Sequence, residues 1–139
     1  YMLTKRNSAA GTEKVNVMPH ESFGNFLAQK RIQRGMTLRK MAQLLGCSAP
    51  YLSDVEKGRR NPFEVGKLEL AARVLCLTAE ETSEMLDLAG KQRNSVAPDL
   101  PDYIMRRDYV AAALRTARDL GAGEKEWAAF VEELKRRKG

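Results

Sequence analysis

Apolar positions recur at helical spacing from Phe23 onward, broken by short polar or glycine-containing stretches. A first helix is predicted to start at Ser22 or Phe23, with Phe23, Phe26, Leu27 and Ile32 as its apolar stripe and Gly35 closing it. Thr37 suits the N-cap of a short second helix that turns Leu38, Met41, Ala42 and Leu45 inward and ends at Gly46. Ser48 caps a third, with Leu52 and Val55 inward and Gly58 as its stop. Asn61-Pro62-Phe63-Glu64 reads as N-cap, proline at N1 and an acid at N3. It would open a fourth helix running to about Leu75, with Val65, Leu68, Ala71, Ala72 and Leu75 on one side. Thr78-Ala79-Glu80-Glu81 is a capping box for a fifth, carrying Met85, Leu86 and Ala89 and ending near Gly90. No stretch alternates like a strand between hairpin turns, so the expected class is all-α.

Gln92–Pro101 is polar and holds two prolines, the mark of a linker or a tightly packed connection. Two more helical stretches follow, about 102–120 with a candidate break near Asp108, and about 124–137. Gly121-Ala122-Gly123 between them is short enough to predict an antiparallel hairpin. Val110, Leu114 and Ala117 share a face of the first stretch; Trp127, Phe130, Val131 and Leu134 form a stripe on the second. That stripe needs a cover, either within its own chain or across a subunit interface. The chain thus divides into a flexible arm (1–20), a five-helix domain (21–92), a linker (93–101) and a helical hairpin (102–139) that packs or oligomerises. There is no internal repeat.

The 139 residues carry 24 Lys+Arg against 18 Asp+Glu, a formal charge of +6. Its distribution says more than its total. Residues 21–61 hold eight basic and three acidic side chains, whereas residues 62–101 hold four basic and seven acidic. A basic module followed by an acidic one points to a face for a polyanion, although basic residues that merely solvate helices would produce the same count. No apolar run has the length of a membrane span, and residues 1–20 do not look like a signal peptide, so a cytoplasmic location is expected.

Two short helices around a glycine turn, with a basic helix before and a basic loop after, describe a helix-turn-helix. Gln29-Lys30-Arg31-Ile32-Gln33-Arg34-Gly35-Met36-Thr37, then Met41-Ala42-Gln43-Leu44-Leu45-Gly46, then the run from Tyr51 through Glu56-Lys57-Gly58-Arg59-Arg60-Asn61-Pro62 carry a more specific likeness. This segment resembles the lambdoid repressor/Cro (XRE-type) DNA-binding domain over about residues 21–92. The resemblance implies a five-helix repressor-like domain whose third helix enters the major groove of double-stranded DNA. Ser48, Ala49, Pro50 and Asp54 then fall at the base-reading positions. Ala49 and Pro50 offer only apolar contact, while Asp54 either accepts from cytosine N4 or orients Arg39 or Arg60. Thr37, Arg39, Tyr51, Lys57, Arg59 and Arg60 fall where phosphates are gripped, Arg39 standing in for a glutamine that the family often has where this chain has Leu38. The family pairs the positions of Arg31 and Glu56 as a structural ion pair. It also reads two half-sites as a symmetric homodimer.

Enzyme chemistry finds no support. His20 is the single histidine, Cys47 and Cys76 have no partner and read as small core residues, and there is no phosphate loop, HExxH or CxxC. No cofactor and no metal are expected. The function implied is sequence-specific regulation of transcription, most readily as a dimeric repressor. The alternative is an antitoxin whose C-terminal hairpin, with Val110, Leu114, Trp127, Phe130 and Leu134 as candidate interface, holds a protein toxin. A protein-binding adaptor built on the same fold is a third reading.

Overall fold

The computed structural model describes residues 22–139; the arm expected over residues 1–20 lies outside the described residues. Those residues form eight helices and no strand: α1 (Phe23–Gln33), α2 (Leu38–Leu45), α3 (Ala49–Glu56), α4 (Val65–Val74), α5 (Ala79–Gln92), α6 (Leu100–Met105), α7 (Asp108–Asp119) and α8 (Glu124–Lys138). The chain splits into two compact units between Asp99 and Leu100.

In the first unit the starts of α1, α2, α3 and α5 are set by side-chain caps. Ser22, Thr37, Ser48 and Thr78 each accept a bond from the backbone N–H three residues on, at 3.0–3.2 Å. Each bond satisfies a donor that the helix itself leaves open. At Thr78 the box is closed by Glu81 Oε1, which accepts from the Thr78 N–H at 2.9 Å. The core is Phe23, Phe26, Leu27, Met41, Leu52, Val55, Leu68, Leu75 and Met85, all fully buried, with Phe63 added from a loop.

Two expectations for α1 and α4 need correction. Ile32 is 64% exposed and not part of the stripe. Nine residues from Phe23, at 100° per residue, it points away from Phe23, Phe26 and Leu27. The helix predicted from Asn61 begins only at Val65, with Glu64 as an N-cap that makes no side-chain bond. The reason is Phe63. Its ring inserts edge-on against Phe23 at 5.7 Å between centroids and lies 6.4 Å from Tyr51. Residues 61–64 stay out of the helix to deliver it, and Arg93 donates to the Pro62 carbonyl. Cys76 also differs from the expected core residue: it is exposed and left-handed (φ 53°), just past the end of α4.

Residues 93–97 pack onto α5 of the same unit. Ser95 N–H donates to the Gly90 carbonyl at 2.8 Å, and Ala97 is buried.

In the second unit the stretch expected over 102–120 is two helices, α6 and α7, which pack on each other across a break at Arg106-Arg107. The stripe on α8 finds no cover in α7. Every residue from 123 to 139 is exposed, Trp127 by 40% and Phe130 by 55%, so the two helices do not cover each other's apolar faces.

Candidate nucleic-acid interface

α2 and α3 meet at a turn that requires glycine. Gly46 has φ 74°, a left-handed conformation that costs other residues, and its N–H bonds back to the Gln43 carbonyl. Cys47 and Ala49 pack on the core beside this turn, and Leu52 and Val55 anchor α3 from beneath. On the opposite side Pro50 is exposed and Ser53 and Asp54 are half-exposed.

The pose of α3 is fixed from behind by α1. Arg31 forms a two-pronged bond to Glu56, Nε to Oε2 at 2.8 Å and Nη2 to Oε1 at 3.1 Å. Its third prong, Nη1, donates to the Met36 carbonyl at 2.9 Å, so one guanidinium ties α1, the end of α3 and the α1–α2 turn together. Both side chains are largely buried, 13% and 8% exposed. Gly24 allows the approach: a Cβ there would lie 2.7 Å from the Val55 carbonyl oxygen and closer still to that of Glu56.

The base-reading candidates divide into two groups. Ser48 and Pro50 are exposed at the start of α3, where Ser48 Oγ already accepts from the Tyr51 N–H and keeps its own proton to donate. Ala49 is only partly available because it rests on the core. Asp54 is half-exposed and faces Arg59, whose Nη1 stands 3.6 Å from Asp54 Oδ1. Among the arginines near the site, the one beside Asp54 is Arg59 and not Arg39 or Arg60.

Apart from Tyr51 on α3, the phosphate candidates fall at the start of α2 and in the loop after α3. At the first, Thr37 caps α2 by accepting from Lys40 N–H, which leaves the N–H groups of Leu38 and Arg39 at an open helix terminus. Arg39 and Lys40 are exposed beside it, while Leu38 packs inward. At the second, Lys57, Arg59 and Arg60 are exposed, and the Arg60 guanidinium stands 5.7 Å over the Tyr51 ring. Among the described residues, no carboxylate makes an ion pair with Arg39, Lys40, Lys57 or Arg60.

Three of the eight cations counted in residues 21–61 are structural, and the charge count missed this. Arg31 is bound to Glu56. Lys30 is buried, with its ammonium 2.7 Å from Glu81 Oε2 and 5.5 Å above the Phe26 ring. That bond, and after it the Thr78 N–H, holds the Glu81 carboxyl at about 2, against an ordinary 4.5. Arg34 donates to the Leu75 and Cys76 carbonyls at 2.6 and 3.1 Å and so closes the end of α4. Lys30 could have been found from its spacing, since 23, 26, 27 and 30 are one helical face. Phe63 and Arg93 carry no such signal.

Among the described residues, no cluster of His, Cys, Asp or Glu is placed to hold a metal, and no helix is long and apolar enough to cross a membrane.

The chain is 34% identical over 79 residues to the HTH-type transcriptional regulator DdrOP3 of Deinococcus deserti, a match covering 56% of this chain and 60% of that one. A solved SinR protein/SinI protein complex is similar at 22% identity and a TM-score of 0.42, over 84% of this chain and 97% of that one. Residues 22–85 match the family described as a helix-turn-helix domain. The matched segment carries the glycine turn, the capped α3 and the Arg31–Glu56 tie and is similar to that helix-turn-helix family.

Proposed function

We propose that the chain binds double-stranded DNA with sequence preference and regulates transcription, as a cytoplasmic homodimer that represses. The observation carrying this reading is the arrangement around α3. Its outer side is exposed at Pro50 and in part at Ser53 and Asp54, its back is locked to α1, and exposed cations without carboxylate partners lie at the start of α2 and in the loop after α3. The spacing suits a helix laid in a groove between two phosphate strands: α3 reads bases, while Arg39, Lys40, Lys57 and Arg60 hold the backbone. The role is one of binding and needs no catalytic group. Sequence preference falls to Ser48, Pro50 and the Asp54–Arg59 pair. With Asp54 turned to Arg59, the arginine becomes the better candidate for guanine, and Asp54 its positioner.

Selection of bound duplexes from a random pool at two salt concentrations tests the proposal. The expected result is an enriched near-palindrome with half-sites about 10–11 bp apart. Lys57→Ala should lower affinity on every sequence alike and reduce the slope of log affinity against log salt by about 0.9. Uniform binding with no enriched sequence would remove the regulatory reading and leave only a phosphate grip.

A further inference from the structure

α8 has an apolar stripe and an ordered set of charges beside it. Trp127 and Phe130 meet edge-on at 6.1 Å between ring centroids and, with Val131 and Leu134, make one exposed face. The charges fall into two classes. Glu132 and Lys135 pair with each other at 3.9 Å, and Glu133 pairs with Arg136, so these four are matched within the helix. Glu124, Lys125, Glu126, Arg137 and Lys138 form no ion pair among the described residues, and Glu126 Oε1 accepts from the Gly123 N–H. At 100° per residue Lys125 falls on the far side of the helix, and the other four flank the stripe: Glu124 and Lys138 beside Val131, Glu126 and Arg137 beside Phe130. Both acids stand in the first turn and both bases in the last.

This arrangement has a definite complement. If a second identical helix runs parallel, acids face acids and bases face bases at the two ends. If it runs antiparallel, the two-fold axis keeps each flank on its own side and reverses it end for end. Glu124 then meets Lys138 and Glu126 meets Arg137 when the axis passes near Val131. The same register sets Trp127 beside Leu134 of the other copy and closes apolar surface at the centre. Opposed helix dipoles also favour this orientation. We infer that α8 pairs antiparallel with α8 of a second copy of this chain, centred on Val131, and that the unmatched end charges select this orientation. The inference deepens the two-fold binding proposed above and is tested without DNA, so its failure leaves the reading of α3 standing.

The experiment is sedimentation equilibrium of the full chain, followed in parallel by the emission of Trp127, the single tryptophan. The wild type should be a dimer that dissociates on dilution, with emission shifting to the red as it does so. Phe130→Glu should be monomeric, and its surface position leaves the fold of both units intact by circular dichroism. Reversing the acidic end (Glu124→Lys with Glu126→Lys) or the basic end (Arg137→Glu with Lys138→Glu) should each weaken the dimer about tenfold or more, since every pair occurs twice. Joining both reversals should restore it. Opposition to the helix dipole would make the joined variant worse than either alone, so recovery reports pairing across the two copies. A monomeric wild type, whether its Trp127 is shielded by its own chain or open for a different protein, overturns the inference. So does a dimer that survives Phe130→Glu, or end reversals that simply add.

Discussion

The Arg31–Glu56 bond ties the end of α3 to α1, and its removal has a calculable cost. In Glu56→Ala the guanidinium keeps one of its three bonds, that to Met36, and loses both bonds to carboxylate. With Arg31 only 13% exposed, water reaches the stranded charge poorly. Breaking a buried pair in this way costs about 3–5 kcal/mol. The surviving Met36 bond argues for the lower end, about 3 kcal/mol. For a unit the size of residues 22–99, that corresponds to a fall in Tm of roughly 12–24 °C.

The assay must report on the right unit. Trp127 lies in the other one, so fluorescence is silent here. Thermal and urea melts followed by far-ultraviolet circular dichroism give the stability, and hydrogen exchange at the Leu52 and Val55 amides assigns the loss to α3. A second variant separates charge from packing. Replacing both partners by apolar groups, Arg31→Met with Glu56→Leu, leaves no stranded charge and should recover most of the loss. A cost below about 1 kcal/mol for Glu56→Ala, or a double variant as damaged as the sum of its parts, would refute the assignment of Glu56 to architecture.

Two further predictions rest on α1. Glu81 is held at about 2 by Lys30 and the Thr78 N–H, below its ordinary 4.5, so the folded chain binds this proton less readily than the unfolded one. Its stabilising contribution is therefore complete above about pH 5 and fades as pH falls from there toward 2. Urea midpoints measured across that window should fall less steeply for Glu81→Gln than for wild type, and parallel curves would contradict the bond to Lys30. Gly24→Ala puts a methyl group into the Val55 and Glu56 carbonyls, so α1 and α3 must separate. The expected loss is about 1–3 kcal/mol together with weaker DNA binding, measured by melting and by titration with the selected duplex; unchanged values would mean that the approach of the two helices is not tight.

The caps and turns of the first unit were legible because each is a local device. Ser22, Thr37, Ser48 and the Thr78–Glu81 box act within four residues, and Gly46 answers to its own φ. What escaped was tertiary. Asn61-Pro62-Phe63-Glu64 has the composition of a helix start, and nothing local says that Phe63 is needed beside Phe23, a demand that outweighs one extra turn of helix. Lys30 and Ile32 are a different kind of miss. The heptad-like spacing of 23, 26, 27 and 30 already excluded Ile32 and included Lys30, but a lysine on the buried face is accepted only once a carboxylate is found for it, and Glu81 lies 51 residues away.

The same distinction governs the candidate site. Counting charge along residues 21–61 treats every cation as available to a polyanion, yet Lys30, Arg31 and Arg34 are committed to Glu81, Glu56 and the end of α4. The cations left over are Arg39 and Lys40 in the first turn of α2 and Lys57 and Arg60 just after α3, none of which has a carboxylate partner among the described residues. Net charge therefore measures this interface badly, and the unmatched remainder measures it well. On α8 the same subtraction leaves, beside the apolar stripe, Glu124, Glu126, Arg137 and Lys138, whose signs are separated along the helix, with Lys125 on the far side. An excess of one sign at α3 fits a polyanion, and a separated, balanced remainder fits another copy of itself.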